Sequence, residues 1–409
     1  MDIQRIETPW MTSYDWKKQY EENGFQYHSL DGLYFVQDAA YVLKMADIDA
    51  LEDATAEVDA MCLELVYECV KNGDYTGYNY TNEEIALIED SWCIGQQDQR
   101  PSMSIFGRYD FLPGADGKWK MLEYNSDTPT GLPEASVAQW LWLENYVRIK
   151  DGREQCPIPG EFDQYNSIHE ELIKVWSEMF YNVHPSKTNL MFCAQGSYEE
   201  NLEDWGNIYY MMDVAFQAGF NVSEMSLEDI HWDGDKFVAI DDTPIHTLFK
   251  LYPWEMLTKD EYAQHLKGGW NQGPMNIIQP AWRMLLSHKN TLARLWAKFP
   301  KHPNLLPSFT TFQPKGKWVR KPMLAREGWN VSFIEDAMVG VPQATSEFYG
   351  ENQRYVFQER VMAPKFGDRF PVFGSWVVGN TPCGLGVREE INKEITTNTG
   401  LFVPHLILD

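Results

Sequence analysis

Four polar side chains in the first third of the chain have the types and spacing to bind a metal ion and a phosphate. They are Arg108, Asp110, Glu123 and Asn125, and two of them lie on each side of the dipeptide Asp116-Gly117. Asp-Gly is a preferred two-residue hairpin turn, and the flanking segments IFGRYDFL and KWKMLEYN both have strand composition. Such a turn predicts that Asp110 faces Glu123 and that Arg108 faces Asn125. All four share one face of the hairpin because alternate strand residues do so.

Two carboxylates that face each other on a sheet repel, unless a cation or a shared proton relieves the repulsion. Magnesium prefers oxygen ligands, so Asp110, Glu123 and the amide oxygen of Asn125 are candidate Mg²⁺ ligands. Arg108 could bind a phosphoryl group with its forked guanidinium. The alternative is a solvated hairpin face with a local Arg–Asp pair. The hydroxyl-rich run SDTPT that follows favours the functional interpretation, because it could hold a substrate.

Composition and charge exclude several classes of protein. The chain has 409 residues, 44% hydrophobic and 14% aromatic, which indicates a globular protein of two or three domains. A net charge of −26 argues against nucleic acid or an anionic membrane as the main partner, since both require a broad basic face. No secretion signal and no run of eighteen apolar residues is present, so we expect a cytoplasmic protein. Six scattered cysteines without a CxxC pair indicate reduced thiols and no zinc site.

Hydrophobic periodicity predicts a mixed α/β (α+β) chain. Helical spacing of apolar residues predicts helices over 46–70 and 82–92, which we expect to pack around the hairpin. The segments TNLMFCA, LEDWGNIYYMMDVAFQAGF and NVSEMSL predict a β-α-β unit. QPAWRMLLSHKNTLARLWAKF predicts one helix that carries Lys289. The polar stretch KDGREQCPIPGEFDQ is a candidate boundary. We expect three segments, namely the helical layer with the hairpin, an α/β substrate-side domain and a nucleotide-binding region, over residues 1–150, 151–280 and 281–409.

The most basic segment of this acidic chain, KGKWVRKPMLAREGWNVSF, predicts a hairpin flap over a polyphosphate. Backbone N–H groups and Arg326 at its turn would meet the phosphates, with Lys321 beneath them. An ordinary basic surface hairpin is the alternative. On the later strand RYVFQERV, Gln358 and Glu359 could bond an adenine edge, although polar strand residues more often satisfy neighbouring backbone.

Two acidic residues begin the helix LEDWGNIYYMMDVAFQAGF. Glu203 and Asp204 are either partners of the positive helix terminus or the binding site of a cationic or amine-bearing substrate, and we give the two interpretations equal weight.

Seven segments occur in an order that resembles a known family: GRYDF, LEYNSDTPTGLPEAS, LEDWGN, FKLYPWE, PAW…SHKN, VRKPMLAREGWNVSF and GVREE. From about Gly107 onward the chain is similar to the synthetase domain of glutathionylspermidine synthase, and more closely to the stand-alone bacterial members that lack the amidase domain. The resemblance implies an ATP-grasp fold with a preATP-grasp domain. It also implies that ATP activates an acid as an acyl phosphate, which an amine attacks to give ADP, phosphate and an amide.

The resemblance assigns roles to single residues. It implies small-molecule substrates, with glutathione and spermidine as the reference pair, and ATP and Mg²⁺ as cofactors. As metal ligands it implies Asp110, Glu123 and Asn125, in agreement with the hairpin argument. As catalytic arginines near the phosphates it implies Arg108 and Arg388. In the ATP site it implies Lys289, Lys321 and the flap Ala325-Arg326-Glu327-Gly328, and the strand argument adds Gln358 and Glu359. In the substrate region it implies Thr128, Thr130, Glu203 and Asp204.

Three departures from the family pattern concern the substrate. Thr128 and Thr130 replace serines, and Asp204 replaces a glutamate, all near the acid-binding region, so the acid can differ from glutathione. We expect no amidase module and no reverse hydrolysis. The leading hypothesis is an ATP- and Mg²⁺-dependent carboxylate–amine ligase. The alternative is a nucleotide-binding protein of the same fold that acts through a partner and has lost ligase activity. A metal-dependent hydrolase fits poorly, because neither a second metal cluster nor a candidate base is evident.

Overall fold

The computed structural model describes residues 1–29, 32–97, 104–150, 162–182, 189–267, 274–342, 344–345 and 354–408. The helices are α1 (Trp16–Glu22), α2 (Met45–Asn72), α3 (Asn82–Gln97), α4 (Gln139–Lys150), α5 (Ile168–Asn182), α6 (Leu202–Gln217), α7 (Trp254–Leu257), α8 (Arg283–Ser287) and α9 (Asn290–Lys298). The strands are β1 (Gln4–Glu7), β2 (Ala39–Lys44), β3 (Phe106–Pro113), β4 (Trp119–Asn125), β5 (Asn189–Ala194), β6 (Asn221–Ser226), β7 (His231–Trp232), β8 (Phe237–Val238), β9 (Thr247–Lys250), β10 (Asn276–Ile278), β11 (Ser308–Phe309), β12 (Lys317–Pro322), β13 (Ser332–Glu335), β14 (Met338–Val339), β15 (Tyr355–Glu359), β16 (Arg369–Val378), β17 (Thr381–Ile391), β18 (Leu401–Val403) and β19 (His405–Leu408).

The strands form parallel and antiparallel sheets, as expected for a mixed α/β chain. A parallel sheet has the order β10-β9-β5-β6, and its β5-α6-β6 connection is the β-α-β unit that the sequence predicts. Two five-stranded antiparallel sheets have the orders β11-β15-β12-β13-β14 and β18-β17-β16-β3-β4. A fourth sheet, of three strands, joins the two ends of the chain, because β19 pairs in parallel with β2.

The hairpin of β3 and β4 has the register that the sequence predicts at its open end and a different turn at its tip. Arg108 faces Asn125 and Asp110 faces Glu123. The turn, however, is longer than Asp116-Gly117, because the strands end at Pro113 and Trp119 and the N–H of Gly114 donates to the carbonyl of Lys118. A bulge next to Asp110 shifts the register by one residue and so restores the predicted pairing. The prediction of a two-residue turn was wrong, but the bulge cancels the one-residue register shift that the longer turn causes.

The single helix predicted around Lys289 was also wrong. The structure has two helices there, α8 and α9, with a break at His288 and Lys289. His288 is extended, with ψ at 125°, and its ring nitrogen accepts a hydrogen bond from the N–H of Asn290. The N–H of Lys289 bonds the carbonyl of Met323, next to β12. The break therefore lies where the chain meets the strand that carries Lys321.

The hairpin packs on the long helix α2, as the periodicity predicts. The rings of Tyr109 and Tyr124 stack with centroids 3.7 Å apart, and the Tyr109 hydroxyl donates to the buried Asp59 of α2 at 2.9 Å. On the other side, β3 pairs with β16 from the far end of the chain. The division into three segments stays a prediction. Its first candidate boundary lies mostly in residues 151–161, which are outside the described part.

Four cysteines, Cys62, Cys69, Cys193 and Cys383, are buried and free, as expected for reduced thiols. The side chains of Cys93 and Cys156 lie outside the described part. Within the described residues, no helix has the length and apolar character needed to cross a membrane.

Gly206 in the first half of α6 is expected to be intolerant of a side chain. A Cβ at this position would overlap the ring of Tyr27, which is buried. In an open helix position, alanine is about 1 kcal/mol more favourable than glycine, but overpacking of a core costs about 1–3 kcal/mol. We expect Gly206→Ala to lower the free energy of unfolding by roughly 1–3 kcal/mol, measured by urea denaturation. Asp213→Ala, at an exposed position of α6, is the control and should change stability little. A Gly206→Ala protein as stable as wild type would contradict the close packing.

Candidate functional site

A cavity of about 590 Å³ is lined by residues from both five-stranded sheets and from the loops beside them. Every residue that the sequence singled out for metal, ATP or substrate lines this cavity. The residues come from β3 and β4, from β12 and β15, from β17, from the first turn of α6 and from the break between α8 and α9. Segments almost three hundred residues apart in sequence, such as those of Arg108 and Arg388, therefore meet in one place. Their individual roles stay predictions.

Asp110 is surrounded by cations on the cavity wall. The guanidinium of Arg108 donates to one carboxylate oxygen at 2.8 Å, and that of Arg388 donates to the other at 3.0 Å. The side-chain amide of Asn125 also donates to Asp110, at 3.2 Å. Arg108 donates further to the carbonyl of Thr130 at 2.6 Å, which connects the hairpin to the hydroxyl-rich loop. Burial lowers the pKa of Arg388, and the nearby charge of Arg108 lowers it further.

Glu123 faces the two lysines that the sequence assigns to ATP. The Lys289 ammonium lies 3.3 Å from its carboxylate, and the Lys321 ammonium donates to the adjacent carbonyl of Leu122 at 2.8 Å. Burial alone would raise the pKa of Glu123, but Lys289 and Lys321 overcome this effect and lower the pKa to about 2. Burial lowers the pKa of Lys321 to about 8, although Glu123 opposes the shift. Each carboxylate of the hairpin thus has its own pair of cations.

The basic hairpin lines the cavity with the residues of its turn, which we call the flap. Its strands β12 and β13 pair in antiparallel fashion, as predicted. At its turn, Arg326 donates to the hydroxyl of Thr128 at 2.6 Å and to the carboxylate of Glu255 at 3.3 Å, and Lys289 donates to the carbonyl of Ala325 at 2.6 Å. Gly328 has a φ of +66°, and a Cβ there would lie 2.5 Å from the carbonyl oxygen of Thr396. Only glycine fits both constraints.

The start of α6 is connected to the hydroxyl-rich loop. Asn207 accepts hydrogen bonds from the N–H groups of Gly131 and Leu132 at 3.1 and 3.2 Å. Glu203 and Asp204, one turn earlier, therefore lie on the cavity wall beside Thr130. Burial raises the pKa of both carboxyl groups, and the charge of Asp204 raises that of Glu203 further.

The end of the cavity near β15 has apolar walls. Leu122, Val319 and Phe333 line it together with Gln358 and Glu359. The amide nitrogen of Gln358 donates to the carbonyl of Met121 at 3.2 Å. This nitrogen therefore satisfies neighbouring backbone, which is the alternative to an adenine contact. The amide oxygen of Gln358 is buried and has no hydrogen-bond partner in the described part of the chain. That oxygen can accept a bond from a ligand.

The structure contains a buried ion pair that the sequence reasoning missed. Lys250 and Asp127, each 1% exposed or less, are joined at 2.9 Å, and the other oxygen of Asp127 accepts the N–H of Trp254 at 2.7 Å. This pair fixes the loop that carries Thr128 to the segment before α7. A signal was present, because a lysine in the apolar strand TLFK must have a partner when it is buried. Glu255, the partner of Arg326, ends the segment FKLYPWE, and the sequence predicted no role for it.

The donor set of the hairpin suits a hard cation. Asp110, Glu123 and Asn125 offer two carboxylates and one amide oxygen, and Mg²⁺ takes its remaining ligands from water or phosphate. Asn125 uses its amide nitrogen for Asp110, which leaves the oxygen for another partner. No group of three or more His, Cys, Asp or Glu side chains able to hold a metal exists among the described residues. The site therefore fits a metal shared with a phosphate and not a metal held by the protein alone.

Several known proteins resemble this chain in sequence or in fold. The family model described as "Glutathionylspermidine synthase preATP-grasp" matches residues 8–408. A protein of Haemophilus influenzae named "Putative acid--amine ligase" is 42% identical over 97% of this chain and 98% of its own length. Trypanothione synthetase of Crithidia fasciculata is 23% identical over 72% of this chain but only 45% of its own length. A glutathione synthetase-like effector from Globodera pallida, 10% identical over 98% of both chains, has a similar fold with a TM-score of 0.56. The chain belongs to the glutathionylspermidine synthase family.

Proposed function

We propose that this protein is an ATP- and Mg²⁺-dependent carboxylate–amine ligase of the ATP-grasp class. It activates a peptide-like acid, such as glutathione or an analogue, as an acyl phosphate and joins it to an amine such as spermidine or an analogue. The observation that carries the proposal is the convergence of the predicted metal, ATP and substrate residues on one cavity. The names of the family and of the relatives, which are ligases and synthetases, support the reaction class.

The charge distribution supports a polyphosphate at the hairpin end of the cavity. Lys289, Lys321, Arg108 and Arg388 bring four positive charges to one wall, and their present partners are the carboxylates Asp110 and Glu123. A carboxylate is a poor electrophile, so phosphoryl transfer from ATP must precede attack by an amine. Arg108 and Arg388 would stabilise the charge on the transferring phosphoryl group, and such electrostatic stabilisation is the main source of catalysis in reactions of this kind.

The metal would be held by Asp110, Glu123 and Asn125. When bound, Mg²⁺ neutralises phosphate charge and screens the two opposed carboxylates.

The flap and the acidic end of the cavity account for the other requirements of the reaction. Acyl phosphates hydrolyse, so the cavity must exclude water, and the contacts of Arg326 with Thr128 and Glu255 hold the flap over it. Glu203 and Asp204 would attract an ammonium group. The amine must lose a proton before it attacks, and carboxylates of raised pKa are better proton acceptors than ordinary ones. The apolar end near Gln358 has the surroundings that an adenine ring requires.

Asp110→Asn tests the proposal most directly. The substitution keeps the shape of the side chain but removes the charge that faces Arg108, Arg388 and the metal. We expect ADP formation in the presence of acid and amine to fall by at least about a hundredfold, in line with the loss of one main electrostatic contact. Release of ADP and phosphate measures the effect, and mass spectrometry over a panel of acids and amines identifies the amide.

Asp116→Asn, at the exposed tip of the same hairpin, is the matched control and should keep full turnover. Unchanged turnover in Asp110→Asn would remove the metal assignment. Tight ATP binding by the wild type without turnover on any acid–amine pair would favour the alternative, a nucleotide-binding protein that acts through a partner.

Lys321 should give the reaction a pH dependence on the alkaline side. Its pKa of about 8 means that the ammonium loses its charge as the pH rises through 8, which weakens attraction for a triphosphate. We expect kcat/KM for ATP to decline above about pH 8. Lys321→Arg keeps its charge at every accessible pH, so its activity, although lower, should lack this decline. A decline of the same midpoint in both proteins would show that another group titrates.

A further inference from the structure

Asp127 lies in the hydroxyl-rich loop and joins it to three other segments of the protein. Its side chain is buried, and its two carboxylate oxygens accept hydrogen bonds from the ammonium of Lys250 at 2.9 Å and from the N–H of Trp254 at 2.7 Å. Its own N–H donates to the hydroxyl of Ser287 at 2.9 Å. These partners belong to β9, to the first turn of α7 and to the end of α8. Asp127 is therefore held from three directions.

The residues that follow Asp127 and Trp254 in the chain are those that hold the flap. Thr128 directly follows Asp127, and Glu255 directly follows Trp254. The guanidinium of Arg326 donates to the hydroxyl of Thr128 at 2.6 Å and to the carboxylate of Glu255 at 3.3 Å. The hydrogen bond between Asp127 and Trp254 thus joins the two segments at the points where they supply the partners of Arg326, and a closed ring of contacts results.

A second contact of the flap also depends on a segment that Asp127 anchors. Ser287 ends α8, and Lys289, two residues later, donates to the carbonyl of Ala325 at 2.6 Å. Ala325 directly precedes Arg326. Both contacts of the flap are therefore built on segments that are bonded to Asp127.

We propose that Asp127 is a positioning residue for the flap, which holds Thr128 and Glu255 at the spacing that the guanidinium of Arg326 requires. Lys250 balances the charge of the carboxylate and so allows it to be buried. The importance of this contact for the reaction rests on the proposed function, because the hydroxyl-rich loop would hold the acid and the flap would meet the nucleotide. Asp127 would then fix the position of one relative to the other.

A test must separate this role from simple stabilisation of the fold. Removal of one partner of a buried ion pair is strongly destabilising, whereas replacement of both charges is often tolerated. We therefore change Asp127 and Lys250 together. Lys250→Met with Asp127→Asn keeps a side-chain oxygen for the N–H of Trp254, and Lys250→Met with Asp127→Ala removes it.

The flap contains backbone hydrogen bonds that report its position. The N–H of Trp329 donates to the carbonyl of Arg326 at 3.0 Å, and the N–H of Val331 donates to that of Gly328 at 3.2 Å. Amides of this kind exchange with solvent deuterium when the segment opens locally. Hydrogen–deuterium exchange of the protein without ligands, followed by mass spectrometry of peptides from 323–331 and from α2, therefore measures the flap against a distant reference.

We expect the variant with Asp127→Ala to exchange its flap amides roughly tenfold faster than wild type, as for the loss of one hydrogen bond, with α2 unchanged. The variant with Asp127→Asn should remain close to wild type. Asp260→Asn, at an exposed carboxylate after α7, is the matched control and should not affect the flap. Equal exchange of the flap in both double variants would overturn the inference, and so would faster exchange in α2 and the flap alike, which indicates a structural role only.

Glu255→Ala tests the same contact without a change in the buried pair. We expect faster exchange of the flap here also, and the combination with Lys250→Met and Asp127→Ala should add less than the sum of the separate effects, because both changes act on the binding of Arg326. Fully additive effects would overturn the inference. Neither measurement requires turnover, so a failure of the ligase proposal leaves both results readable.

Discussion

The negative charges of two opposed carboxylates must be balanced by cations, and this requirement brings distant segments of the chain to one place. Asp110 and Glu123 face each other across β3 and β4, and such a pair is unfavourable without cations. The cations come from elsewhere: Arg388 from β17, Lys289 from the break before α9, and Lys321 from β12. Each of these segments must therefore reach the hairpin in the folded protein. The same charges that stabilise the hairpin are those that a triphosphate and its metal would use, so the fold and the proposed chemistry depend on one arrangement.

The backbone departs from regular helix or strand geometry at three places in the site, and each departure directs a side chain or a turn into the cavity. The bulge beside Asp110 keeps both carboxylates on the cavity face of the hairpin. The interruption at His288 allows Lys289 to contact both Glu123 and the flap, which a continuous helix would not do. The positive φ of Gly328 brings the flap turn against Thr396. Irregular backbone of this kind is held by the surrounding structure and concentrates at functional sites.

Residue types predicted side chains that the fold brings to one cavity, and the predictions that failed did so for physical reasons. The pairing of Asp110 with Glu123 followed from the period of a strand, although the turn from which it was inferred was wrong. Periodicity could not reveal the break at Lys289, because it depends on the hydrogen bond of Lys289 to Met323 and on the ring of His288, which accepts the N–H of Asn290. The ion pair of Lys250 and Asp127 joins residues 123 positions apart, and spacing along a chain contains no information about such a partner.

The two ends of the cavity use charge in opposite ways. At the hairpin, carboxylates remain ionised because cations surround them, and Glu123 has a pKa of about 2. At α6, burial raises the pKa values of Glu203 and Asp204. A ligase requires this contrast, because phosphoryl transfer needs charges that do not change and an amine needs an acceptor for its proton. The loop from Ser126 to Leu132 lies between the two ends and is hydrogen-bonded to Arg108 of β3 and to Asn207 of α6. A substrate acid held there would therefore face a fixed electrostatic field on one side and a proton-accepting one on the other.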